Sequence, residues 1–245
     1  MVLSVAPKAF ADKESLAIIV GEWPPFITQD QRHNGFIAHL ISDVFAEEGY
    51  EVNYVFRPWN RAYHEAAMGH RDATAVWMHE PGREKDFYYS DPVLQEQFVF
   101  FHRKDRDFQW ETMEDLKGMI IGGGFSYSYG PDFDQAVADG ELNLERVRAT
   151  SQNVLRLQAK LIDVFPEEYN VGTYTIQKTL AADDAALITH HPRPLLQNNS
   201  YVLFPRELSA SEDRRAAFNR RLEAFRQSGR YDSYFDAFRD GHYGK

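Results

Sequence analysis

The chain has 245 residues, and its 27 lysines and arginines against 37 aspartates and glutamates give a formal net charge of −10. That acidic balance argues against a general nucleic-acid binder, which needs a basic stripe to neutralise phosphates, while 43% hydrophobic and 14% aromatic residues argue against intrinsic disorder. With no cysteine, disulfides, thiolate nucleophiles, iron–sulfur clusters and cysteine-based zinc sites are excluded together.

No stretch reaches the roughly 20 apolar residues that span a bilayer. Residues 2–6 are a short apolar run, and Ala9-Phe10-Ala11 matches the small-residue pattern of a signal-peptidase site ahead of Asp12-Lys13-Glu14. Residues 1–11 therefore read as a signal-peptide remnant, the alternative being an unstructured N-terminus. Residues 16–20 are strand-like and end at Gly21, followed by a Pro24-Pro25 turn. Residues 36–48 are helical, with Phe36, Leu40, Val44 and Phe45 on one face and Gly49 as the stop. A strand over 52–56, a helix over 59–68 opened by Pro58 and closed by Gly69, and strands over 73–78 and 98–102 follow. This alternation predicts an α/β architecture with mostly parallel strands.

The pattern then restarts. Asp115-Leu116-Lys117-Gly118 leads into apolar residues 119–121 and the glycines Gly122 to Gly124. Helices are expected over 154–160 and 173–181, and strands over 161–165, 185–189 and 201–204. Two helices, 213–227 and 231–239, are split by Ser228-Gly229. No Pro/Ser-rich linker divides the halves. Two α/β lobes joined by strands are expected, and ligands favour clefts at such domain interfaces.

The order of motifs resembles that of the family 3 bacterial extracellular solute-binding proteins, from about Leu16 to Phe238. Gly21-Glu22-Trp23-Pro24-Pro25-Phe26 followed by Gly35-Phe36 looks like the family's opening segment, and Gly69 to Asp72-Ala73 like its helix-to-strand turn. Arg83 to Tyr89-Ser90-Asp91-Pro92, Asp115-Leu116-Lys117-Gly118, and Phe218-Asn219 through Ser228-Gly229-Arg230-Tyr231 match three further elements in the same order. The resemblance implies a two-lobed, type II periplasmic-binding-protein-like α/β fold. Residues 12–102 and 201–245 would form lobe 1 and residues 103–200 lobe 2, with a ligand cleft between lobes joined by two crossing strands. It also implies a monomeric, exported periplasmic protein that hands a small carboxylate-bearing solute, an amino acid or similar, to the membrane permease of an ABC transporter. No enzyme activity, cofactor, metal or nucleic-acid partner is expected. The alternatives are an enzyme on the same fold, similar to cyclohexadienyl dehydratases, and a sensing module for a membrane receptor.

Arg83 is the first candidate for ligand binding. A guanidinium is a planar fork of donors that meets a carboxylate bidentately, and the resemblance gives this arginine the ligand's α-carboxylate. The competing reading is a surface pair with Glu80 or Glu84, worth little. Trp23 sits where the family stacks an aromatic on the ligand and where a ring face can hold an ammonium, against a core tryptophan braced by prolines. Glu22 beside it would take an amine or remain a solvated acid. Phe125 and Ser126 follow the glycines where the family places a hydroxyl and free N–H groups, an anion-binding arrangement, against a plain hairpin. Glu168, with Glu167 as the neighbouring choice, matches the family's acid for the ligand's α-amine. Trp77 and His79 stand where small hydroxyl residues are usual, so the pocket would be smaller or suited to a flat ligand. The adjacent His190 and His191 point opposite ways if on a strand, His64-Glu65 lacks a second histidine, and no G-x-S-x-G elbow occurs.

Overall fold

Ile18, Ile19 and Val20 are consecutive and all fully buried, as a strand covered on both faces requires. They belong to the first strand of a computed structural model that describes residues 14–125 and 127–244. The signal-peptide reading of 1–11 and the assignment of Ser126 lie outside the described residues. In chain order the elements are β1 Glu14–Val20, α1 Phe36–Glu47, β2 Tyr50–Phe56, α2 Trp59–Ala67, β3 Ala73–Met78, β4 Phe87–Tyr89 and β5 Leu94–Arg103. Then come β6 Ile120–Gly124, α3 Pro131–Ala138, β7 Asn143–Val147, α4 Thr150–Gln158, β8 Val164–Glu168, α5 Tyr169–Thr179 and α6 Ala182–Ala185. The last are β9 Ile188–His190, β10 Leu196–Pro205, α7 Ser211–Gln227 and α8 Arg230–Arg239.

The chain forms two compact units, the first from residues up to Glu22, 29–93 and 201–245, the second from 23–28 and 94–200. The chain thus passes between units at Glu22–Trp23, Thr28–Gln29, Val93–Leu94 and Ser200–Tyr201. Residues 23–28 group with the second unit and Arg83 with the first, whereas the sequence reading set Trp23 and Arg83 both on lobe 1.

In unit 1, β1 pairs in parallel with β2 and β3, β3 neighbours β10, and β4 runs antiparallel to β10. The predicted face of α1 is buried. Phe45 packs on Phe218 of α7 at 4.8 Å, and Phe36 lies between Phe235 and Phe238 at 5.1 and 4.7 Å. Gly21 is required by close approach: a Cβ there would lie 2.2 Å from the Trp59 ring.

Unit 2 has the order β7-β6-β8-β5, with β9 and the first half of β10 antiparallel to β5. Phe98, Phe100, Phe108, Trp110, Tyr129 and Val164 fill one core, and Val99, Phe101, Val154, Leu157, Phe165 and Ile176 another. These two sets follow the period-two alternation of β5 and β8. The sequence reading placed a strand at 161–165, but Leu161 is exposed and the strand runs on through two buried glutamates. It missed α3, β4 and β7, which are short or carry little apolar signal, and it took Ala185 for strand where α6 ends.

Candidate functional site

In unit 1 the end of β3 and the turn after it carry three of the expected residues, Trp77, His79 and Arg83. Val76 has a φ of 63°, a left-handed conformation rare for a β-branched residue, immediately before Trp77. The Trp77 indole N–H donates to Thr74 Oγ1 at 2.7 Å, and its ring meets Trp59 edge-on at 5.1 Å. That fixes a flat surface. Arg83, in the short 3-10 turn Pro81–Arg83, lays its guanidinium 4.8 Å from the centre of the Trp77 ring and 5.9 Å from that of Tyr63. Its Nη1 donates to the Met78 carbonyl at 2.9 Å, and Nη2 pairs with Glu80 at 3.1 Å. The surface pair with Glu80 is therefore present, but the side chain is only 18% exposed and is backed by the tryptophan. His79 binds Glu84 at 2.7 Å and sits 5.0 Å from the Tyr89 ring. Glu22 is exposed and accepts from the Gln29 side chain at 2.7 Å.

The remaining groups lie in unit 2. Residues 23–27 close a tight turn, with Trp23 N donating to the Ile27 carbonyl at 2.8 Å and the Trp23 ring 4.9 Å from Phe26. The buried Trp23 indole N–H points toward the Tyr127 hydroxyl without completing a hydrogen bond of ordinary geometry. Phe125 is 57% exposed. The loop after β6 is strapped by Arg146, which donates to the carbonyls of Gly124 and Tyr127 at 2.6 and 2.9 Å, while the Tyr129 hydroxyl accepts from Gly124 N at 2.7 Å. Glu168 is the N-cap of α5: it accepts from Asn170 N at 2.7 Å, Val171 N at 2.9 Å and Asn170 Nδ2 at 3.1 Å. Glu167 accepts from the Thr150 hydroxyl at 2.7 Å and from Glu168 N at 3.0 Å.

The description of the bacterial extracellular solute-binding proteins, family 3, matches residues 16–240. The chain belongs to that family. An ancestral arginine-binding protein bound to arginine is similar in structure, with a TM-score of 0.70 and 16% identity over 92% of this chain and 98% of that one. A histidine kinase sensor domain with similarity to periplasmic binding proteins reaches 0.69 at 15% identity, over 92% and 96%. An ancestral amino acid-binding protein, a precursor of cyclohexadienyl dehydratase, reaches 0.67 at 16% identity, over 91% and 93%. Comparison with curated proteins finds no match. At these identities the structural likeness speaks to fold, and the fold is the α/β, periplasmic-binding-protein-like one.

This family 3 chain holds three buried carboxyls in unit 2. Burial raises Glu167 to about 7 against the pull of Thr150, and Glu168 to about 8 against the α5 N–H groups, with the Glu167 charge adding to the rise. The third, Glu96 on β5, is raised by burial to about 7, offset in part by the Ser200 hydroxyl. Sequence reading missed Glu96, Tyr127 and Tyr129. One signal was available for Glu96: it falls on the buried face of β5, in step with the apolar Leu94, Phe98 and Phe100. Among the described residues no cluster of three or more metal-ligating side chains occurs. A depression of about 260 Å³ elsewhere in unit 2 is lined by Arg103, Asp105, Arg106, Lys160, Ile162 and Asp163. Its charges are paired with one another, Arg103 and Lys160 with Asp105 and Arg106 with Asp163.

Proposed function

We propose that the protein captures a small carboxylate-bearing solute, an amino acid or a close analogue, and delivers it in the periplasm to the membrane permease of an ABC transporter. The observation that carries this reading is the Arg83 guanidinium held over the Trp77 ring, 4.8 Å from its centre. A positioned fork of donors over an aromatic plane is suited to grip a carboxylate bidentately. The solute's ammonium would go to the acidic groups of unit 2, with Glu168 or Glu167 as acceptor, Trp23 beside it and Phe125 covering it. Trp77 would set the size of the pocket, and His79, Glu22 and Ser126 would stand at its edge. A thermal-shift screen of the purified protein against the amino acids tests the reading. At least one should raise the midpoint in a concentration-dependent way, and a flat response to all of them would overturn it.

A second reading has one observation in its favour. Carboxyls held near neutral pH, as Glu167 and Glu168 are, are suited to proton transfer. An enzyme on this fold would convert a bound acid to a new product, which proton NMR of the incubated solute would reveal.

A further inference from the structure

Arg83 already carries a carboxylate. In the turn Pro81–Arg83 the backbone folds back so that Arg83 N donates to the Glu80 carbonyl at 2.9 Å. The Glu80 carboxylate then lies 3.1 Å from Arg83 Nη2. The rest of the guanidinium is placed by groups that bear no charge, the Met78 carbonyl on Nη1 at 2.9 Å and the Trp77 and Tyr63 rings. The other acid of this turn, Glu84, is engaged by His79 at 2.7 Å. Glu80 is thus the carboxylate that meets a donor which the proposed solute needs.

The two partners are held unequally. The Arg83 side chain is 18% exposed and that of Glu80 59%, so the pair opens to water on the Glu80 side. The Glu80 backbone is anchored, its carbonyl by Arg83 N and its N–H by the Tyr89 hydroxyl at 3.4 Å. Only side-chain torsions need change for the carboxylate to leave, and it leaves into solvent. An ion pair this exposed is worth a factor of about 1.4–5 in an equilibrium constant. With Glu80 gone, the rings and the Met78 carbonyl still hold the guanidinium in place.

We propose that Glu80 is an internal competitor for the site: its carboxylate occupies Arg83 in the solute-free protein, and the solute's carboxylate binds by replacing it. The inference rests on the solute-binding reading above and adds a residue that sets affinity and selectivity. A solute with a free carboxylate restores the charge that Glu80 withdraws, and two parallel N–H···O bonds make it the better partner. A solute whose carboxyl is a carboxamide offers a dipole in exchange for a charge, and Glu80 keeps its place. Neutralising Glu80 should therefore tighten binding, the opposite of what neutralising a residue that contacts the solute does.

Two measurements on the whole chain test it. Phenylglyoxal labels accessible guanidiniums, and peptide mass spectrometry reads its rate at Arg83 with no solute present. Calorimetry with the standard amino acids, as free acids and as carboxamides, reads affinity. Glu80→Gln, and equally Glu80→Ala, should label faster at Arg83 and bind the free acid about two- to fivefold tighter. Glu84→Gln removes one negative charge from the same turn without touching Arg83, and should match the native protein in both measurements. Unchanged labelling in the Glu80 variants, or equal or weaker binding, overturns the inference and leaves the solute-binding reading standing. Equal tightening in Glu84→Gln also overturns it, because loss of any local negative charge would then account for the gain. A native protein that binds the carboxamide as well as the free acid counts the same way. No binding of any amino acid by the native protein overturns both.

Discussion

Arg83, the residue proposed to grip the solute's carboxylate, is already held by its own surroundings. The Trp77 plane, the Met78 carbonyl and Glu80 hold the guanidinium in place, so little side-chain freedom remains to be lost when a solute arrives. Truncating one partner of a desolvated charge pair costs about 2–5 kcal/mol. Arg83→Ala is therefore expected to bring binding of the solute below calorimetric detection with an unchanged circular dichroism spectrum. Arg83→Lys should recover only part of it, because a point charge replaces a fork. Unaltered affinity in Arg83→Ala would remove this residue from the site. A different residue tests packing alone. A Cβ at Gly172 in α5 would stand 2.2 Å from the Phe101 ring, so Gly172→Ala should cost about 1–3 kcal/mol of stability as an overpacked core. Denaturant titration measures it, and a neutral result would mean that β5 and α5 shift apart easily.

At the scale of elements, β5 and β8 carry their acids in a protonation state set by burial. Glu96 and Glu167 are raised to about 7 and Glu168 to about 8 in the folded protein, from an ordinary carboxyl value near 4.5. Between those limits the unfolded chain has lost protons that the folded chain keeps. Their contribution to stability is complete below the unfolded value and is lost as pH rises through 7 to 8. The urea midpoint is expected to fall between pH 5 and pH 8.5, and Glu96→Gln should make that fall shallower. A midpoint independent of pH in this window would mean that water reaches these carboxyls. Replacing the α5 cap, Glu168→Ala, should cost about 0.5–2 kcal/mol at pH 6, read from the same titration. The same two strands mark where sequence reading stops. The apolar periodicity of α1, β1 and β3 is strong, and those elements lie where it predicts. In β5 and β8 a glutamate looks like the end of a strand, because a one-dimensional pattern contains nothing about the Thr150 hydroxyl or the α5 N–H groups that meet it. Arg83 and Trp77 could be nominated from residue type and resemblance, but their stacking depends on the left-handed turn at Val76, which no apolar pattern encodes.

For the whole molecule, the proposed function draws on groups from both units, Arg83 from the first and the acidic set from the second. On that proposal, a solute held by groups of both units would bring a hinge motion with it. A near-complete switch needs the solute to favour the closed form by about 5.5 kcal/mol. Saturating solute is then expected to lower the radius of gyration in solution scattering and to shift the tryptophan emission, with Trp23 and Trp77 as reporters. Tight binding with superimposable scattering curves would count against the hinge.

The discontinuous course of unit 1 has a consequence for the order in which the protein is made. Its sheet sets β3 beside β10, and its core joins Phe45 to Phe218 and Phe36 to Phe235 and Phe238. Those partners come from residue 196 onward. Unit 2, apart from 23–28, is a contiguous stretch of 94–200. A chain emerging at about 5–20 residues per second leaves the ribosome with the whole of unit 2 ahead of the pieces that complete unit 1. The first domain begun is the last one finished, and until α7 and α8 have been synthesised Phe36 and Phe45 of α1 lack the aromatic partners that those helices bring.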